Sequence, residues 1–159
     1  KQTYWVKEVA RTPVIVKLTP NITDITMTAE AAVRGGADAV SMINTINSLA
    51  GVDLDTWNTV PHVGGKGAHG GYCGPAIKPI AVRMVYQAAQ AVKIPIIGMG
   101  GIACAEDAVE MMLAGASAVS VGTANFHNPA VTMEIVDGIE EYLRQNHIED
   151  VRELIGAVR

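Results

Sequence analysis

Two stretches of this 159-residue chain follow one template. "RGGADAVSMINT" (34–45) and "LAGASAVSVGTA" (113–124) each run from a helix end through Gly-Ala, a small residue and Ala-Val into a strand that closes on polar residues. A template used twice marks a repeated supersecondary unit, and a unit that alternates helix with strand builds a parallel sheet. The rest of the chain fits the same rhythm. "VIVKL" (14–18) is a β-branched run stopped by Thr19-Pro20, and "DITMTAEAAVRGG" (24–36) reads as a helix with an N-cap at Thr23 or Asp24 and a Gly pair as its stop. "DAVSMIN" (38–44) is a strand, "PAIKPIAVRMVYQAAQAV" (75–92) a helix and "IPIIGMG" (94–100) a buried strand. A helix over 105–114 closed by Gly115, a strand "AVSVGT" (118–123), a helix over 129–146 and a short helix over 149–158 complete four β/α units.

The expected fold is therefore α/β with parallel strands: the C-terminal half, four β/α units, of a (β/α)8 TIM barrel, in which each strand delivers its last residues to one functional face. The competing architecture is a doubly wound open sheet. Against it, no G-x-G-x-x-G follows the first strand, and the Gly-rich turns sit at the last two strands. Four strands alone leave two bare edges. Either another half precedes Lys1, the favoured reading, or two copies pair, so a homodimer is also expected. The opening "KQTYWVKEVARTPVIVKLTP" lacks Met and reads like the middle of a protein. Residues 1–159 are thus expected to form a single barrel domain from an N-terminally truncated fragment.

Composition narrows the function classes. Twelve Lys and Arg against 16 Asp and Glu leave a net charge of −4 with the signs interspersed, so no basic stripe suits a nucleic acid. No apolar run is long enough to span a membrane, and no leader pattern opens the chain, so a cytoplasmic location is the default. Cys73 and Cys104 stand apart without C-x-x-C spacing, and no zinc or iron–sulfur site is expected.

The candidate functional residues are those at strand ends. These are Lys17 with the "TPN" turn, Asn44-Thr45, Gly98-Met99-Gly100-Gly101, and Gly122-Thr123. Glycine turns at two adjacent strands expose backbone N–H groups that suit an anion, and a phosphorylated ligand is implied. Lys17 lies in an apolar run at the barrel mouth and needs a counter-charge. A carboxylate on a neighbouring strand, a Schiff base and an anionic cofactor are the alternatives. Asn44 and Thr45 offer mixed donors and acceptors to a ligand, or else form an Asx-type turn. Residues 46–74 are long for a structureless loop and belong to the functional face. Their His62, His69 and Cys73 fit no strong metal template, and a Cys73–His69 nucleophile pair is a weaker reading than a glycine turn in which Gly74 lets backbone approach a ligand.

The motifs "VKLTPNITDI", "MINT", "GGYCGPAIKPIAVRMVYQ", "IPIIGMGGI", "AGASAVSVGTANF" and "IEDVRELIG" together resemble the class 1 dihydroorotate dehydrogenase family, most closely the FMN-binding catalytic subunit of its NAD-linked form. The resemblance implies FMN as cofactor and oxidation of dihydroorotate to orotate in pyrimidine biosynthesis, with hydride passing from substrate C6 to FMN N5. It implies that Lys17, Ile43, Gly74, Gly100, Gly101, Gly122 and Thr123 bind FMN, Lys17 beside the ring and the last four around the phosphate. Asn44 and Thr45 would then bind the pyrimidine ring. A separate electron-transfer subunit carrying FAD and a 2Fe–2S cluster is the implied partner. The family's catalytic base is a cysteine in an N-x-S-C-P-N loop that this chain lacks, so no catalytic residue is expected here and the active site is incomplete. "GGYCGPA" departs from the family's G-G-L-S-G-P-A, and the stretch leading into it, "NSLAGVDLDT…VGGKGAHGGYCG", is similar to the dihydropyrimidine dehydrogenase catalytic subunit, which makes uracil or thymine reduction the alternative. A phosphate-binding lyase or aldolase using Lys17, or an inactive half barrel, are the readings from other classes.

Overall fold

The computed structural model describes residues 1–158. Helix α1 (Gln2–Val9) leads into strand β1 (Ile15–Lys17), helix α2 (Ile25–Arg34) and strand β2 (Ala39–Met42). An arm of six short strands follows: β3 (Ile46–Ser48), β4 (Gly51–Val52), β5 (Thr59–Val60), β6 (His62–Val63), β7 (Lys66–Gly67) and β8 (Gly70–Tyr72). A 3-10 turn at Pro75–Ile77 opens α3 (Lys78–Ala91), and then come β9 (Ile96–Met99), α4 (Ala105–Leu113) and β10 (Ala118–Ser120). The short α5 (Ala124–His127), α6 (Val131–Gln145) and a 3-10 turn at Val151–Leu154 end the chain.

Asp24 caps α2, accepting from the Thr26 N–H at 2.9 Å, so the second of the two expected N-caps is the one used. The four main strands form one parallel sheet in chain order, β1-β2-β9-β10. Val40 and Met42 are fully buried and Ile96 nearly so, beneath α2, α3 and α4. The opposite face is more open: Ile15 is 51% exposed, Lys17 and Ala118 are exposed at the edge strands, and between them Ala39, Ile97 and Met99 are half-buried and Ser41 buried. A doubly wound sheet carries helices on both faces, whereas a barrel wall carries them only outside. The one-sided cover decides for the barrel wall, with all four strands ending on one rim.

The helix expected over 129–146 forms as α6, set off from the turn of α5 by Asn128, whose Oδ1 accepts from Ala130 N–H at 3.0 Å and whose Nδ2 donates to Glu134 at 2.7 Å. One expectation needs correction. The helix expected over 149–158 shrinks to the 3-10 turn, because Gly156 (φ +70°) and Val158 turn away and donate to the Met112 and Leu113 carbonyls at the end of α4. The connection over 46–74, too long to be structureless, is built of three antiparallel ribbons, β3 with β8, β4 with β5, and β6 with β7.

Candidate functional site

The strand ends enclose a cavity of about 220 Å³ at the rim. Its wall takes Lys17 from β1, Ile43, Asn44 and Thr45 from the turn after β2, and Gly74 with Ile77 from the start of α3. Beyond β9 it takes Gly100 and Gly101, and beyond β10 Gly122 and Thr123. Lys17, Ile43, Asn44, Thr45, Cys73, Gly74, Met99, Gly100, Gly101, Gly122 and Thr123 thus border one space, whereas Gly98 and the Thr19-Pro20-Asn21 turn do not. A second hollow of about 490 Å³ continues it toward α5 and α6 and shares Gly74, Gly101 and Thr123 with it. Together they fall within the size range of small-molecule sites, about 300–1,000 Å³.

The turn after β2 is held from both sides. Ile43 N–H donates to the Met99 carbonyl at 3.0 Å and Asn44 N–H to the Leu18 carbonyl at 3.1 Å. The Asn44 Oδ1 accepts from the adjacent Thr45 N–H at 2.8 Å, one residue short of the Asx turn considered above, and Asn44 borders the cavity.

The glycines divide into two kinds. A Cβ on Gly101 (φ +80°) would stand 2.7 Å from Lys78 Cβ and 2.9 Å from its backbone nitrogen, and one on Gly100 (φ +124°) 2.9 Å from Ala81 Cβ. These two let the turn lie flat against α3. A Cβ on Gly74 or Gly122 would meet nothing within 4 Å, although both border the cavity. The backbone N–H groups of Gly101, Ile102, Gly122 and Thr123 have no protein acceptor among the described residues. Unpaired N–H groups beside open space favour an anionic guest.

Behind the β9 turn, Asp107 accepts from Ala103 N–H at 2.9 Å, Cys104 N–H at 3.2 Å and Lys78 Nζ at 2.6 Å. Lys78 also pairs with Glu110 at 2.7 Å. Burial pushes the Asp107 carboxyl up, but the Lys78 ammonium and the Ala103 N–H outweigh it and hold it below the usual range. The two carboxylates raise the Lys78 ammonium above its ordinary value. Cys104 caps α4, and burial pushes its thiol up, away from nucleophile chemistry.

Lys17 is exposed and forms no salt bridge among the described residues. The carboxylate partner considered above is missing because its neighbours across the sheet are Ser41 and, beyond it, Ile97. His62 and His69 lie exposed on the arm, outside both hollows. Among the described residues no three His, Cys, Asp or Glu side chains gather as a metal site, and no helix is long and apolar enough to cross a membrane. Sequence reasoning missed Ser120, Ile77 and Ile102 in the wall. Strand alternation could have found Ser120, which sits opposite Met99 on the more open face.

A family profile described as Dihydroorotate dehydrogenase matches residues 1–143. A protein from Alkaliphilus oremlandii named dihydroorotate dehydrogenase B (NAD(+)), catalytic subunit, is 60% identical over 153 residues, covering 96% of this chain and 49% of the relative. A protein of the same name from Lachnoclostridium phytofermentans is 57% identical over 154 residues, 97% of this chain and 50% of the relative, and one from Geotalea uraniireducens is 53% identical over 153 residues, 96% and 48%. The chain spans about half the length of the curated relatives it matches. With the barrel wall and the rim cavity already in place, the match over nearly its whole length means that this chain belongs to the dihydroorotate dehydrogenase family.

Proposed function

We propose that this chain supplies the flavin- and substrate-binding wall of an FMN-dependent dihydroorotate dehydrogenase, which oxidises dihydroorotate to orotate in pyrimidine biosynthesis. The family is flavin-dependent. The observation that carries the reading is the convergence of an unpaired lysine, an amide–hydroxyl pair and two open glycines on one rim. The residues fit a phosphorylated, planar guest: Gly74 and Gly122 leave room that any Cβ would fill, and four N–H groups nearby lack acceptors.

FMN, when bound, supplies the hydride acceptor. The chain's own residues do the rest of the work on this side of the site. The N–H groups of Gly101, Gly122 and Thr123 hold the phosphate, with Gly100 shaping the turn that presents them. Lys17 sets a fixed positive charge beside the ring system, unmuted by any carboxylate, and Ile43 offers its backbone there. Asn44 and Thr45 orient the dihydropyrimidine through an amide and a hydroxyl, which match a ring with alternating N–H and C=O groups. The proton leaving the substrate is assigned to a base outside these residues, because neither titratable side chain of the wall among the described residues, Lys17 or Cys73, stands in an N-x-S-C-P-N loop. Residues 1–159 act as one domain within a larger barrel. The relatives are named catalytic subunits, which supports a separate electron-transfer subunit; its carrying FAD and a 2Fe–2S cluster, and a homodimer of the whole barrel, belong to the same proposal.

The test is a fluorescence titration of the protein with FMN beside riboflavin, which lacks the phosphate. Saturable binding of FMN at least tenfold tighter than riboflavin is expected. Equal binding of both, or of neither by a folded sample, overturns the phosphate assignment.

A further inference from the structure

The "TPN" turn after β1 holds a side chain that borders neither hollow yet bonds the backbone at Thr45 and Asn47, where the rim meets the arm. Asn21 Nδ2 donates to the Thr45 carbonyl at 3.1 Å and to Thr19 Oγ1 at 3.1 Å, and Asn21 Oδ1 accepts from Asn47 N–H at 2.8 Å. Both amide hydrogens and the amide oxygen are thereby used, across sequence separations of 24 and 26 residues. The same corner is packed from the other side, because a Cβ on Gly71 of β8 would stand 2.5 Å from Thr45 Oγ1 and 2.8 Å from its Cβ. Thr45 is thus gripped between the turn after β1 and the root of the arm, where Ile46 pairs with Tyr72.

We propose that Asn21 is a positioning residue: it latches the root of the arm to the rim and so fixes the Asn44–Thr45 pair for the dihydropyrimidine, a role that rests on the substrate reading above. Asn is suited to it and isosteric Asp is not. The latch needs a donor toward the Thr45 carbonyl and an acceptor toward the Asn47 N–H, and a carboxylate keeps only the second. Nothing in the arrangement reaches the glycine turns after β9 and β10, so the grip on a cofactor phosphate should not depend on it.

The test pairs amide hydrogen exchange with ligand binding in the purified protein and its Asn21→Ala and Asn21→Asp variants. In Asn21→Ala the Asn47 amide should exchange roughly tenfold faster, the effect of losing about one hydrogen bond. Orotate should bind roughly tenfold more weakly, while FMN affinity moves less than twofold. In Asn21→Asp the Asn47 amide should stay protected, because its acceptor survives; orotate is not compared there, since the added charge repels its carboxylate. Unchanged Asn47 exchange in Asn21→Ala overturns the latch. Equal losses of orotate and FMN overturn the positioning role in favour of general loosening. If the unsubstituted protein binds FMN but no orotate, the substrate reading fails and the positioning role with it, and the exchange result still decides whether the latch exists.

Discussion

The turns after β9 and β10 are written alike, Gly-Met-Gly-Gly and Val-Gly-Thr, and border the same cavity, yet their glycines serve opposite ends. Gly98, Gly100 and Gly101 are jammed: a Cβ on Gly98 would meet Ala116 Cβ at 2.9 Å and run into buried Met111, and the other two would press on α3. Gly122 has empty space where a side chain would be. In the first turn glycine lets the protein touch itself, and in the second it lets something else approach. A glycine that no neighbour demands is the better pointer to a ligand.

The sharpest way to break the comparison is to fill both turns. Gly101→Ala combines a left-handed φ of +80° with a clash against the backbone of α3, and should destabilise by about 3 kcal/mol, read as a lower denaturant midpoint with an unchanged slope. Gly122→Ala should leave stability within about 0.5 kcal/mol but weaken FMN by tenfold or more, about 1.4 kcal/mol. If the two substitutions lower stability equally, the division into packing and ligand glycines is wrong. Lys17→Ala belongs with Gly122→Ala. Exposed and unpaired among the described residues, it should unfold as the unsubstituted chain does within about 0.5 kcal/mol, while in the full-length protein reduction of bound flavin by dihydroorotate slows; unchanged reduction kinetics there remove its proposed role.

The smallest effect concerns the support behind the jammed turn. Asp107 titrates below its ordinary 3.8 when folded, so the unfolded chain binds its proton first as pH falls. Its contribution is fully present above about pH 4 and fades as pH drops through 3.8 and then through the folded value. Asp107→Asn should flatten the acid limb of a stability profile between about pH 5 and pH 2 and loosen the β9 turn, without touching the Gly122 turn. An unaltered acid limb would mean that the Lys78–Asp107 pair contributes nothing to folding.

The main sheet was legible because its signals are redundant. Val40, Met42 and Ile96 read as strand cores and are buried, Gly115 stops a helix, and each strand ends where polar or glycine residues begin. The residues around the cavity were legible for the same reason, since a parallel sheet sends all its strand ends to one rim. The arm was not, because ladders of two residues, such as Gly51–Val52 with Thr59–Val60, are too short to show a period, and several of their apolar side chains stay in solvent, Val52 and Val63 among them. Asn21 was marked only as part of the "TPN" turn, and its role escaped because its partners lie 24 and 26 residues away, and nothing in a local pattern marks a side chain that binds distant backbone. The division of the glycines was equally invisible, since it depends on which side chain stands opposite.

The arm also bears on how freely this architecture can change. β2 ends at Met42 and β9 begins at Ile96, whereas β1 and β2, and β9 and β10, are separated by well under half that length of chain. The entropy lost on closing a loop grows only with the logarithm of its length, about 0.6 kcal/mol per doubling. The whole excursion therefore raises the entropic barrier to pairing β2 with β9 by only about 1 kcal/mol. A segment that inexpensive to insert can lengthen, shorten or change its sequence with little effect on the sheet, which leaves the covering of the site free to diversify while the rim that holds the ligand stays as it is.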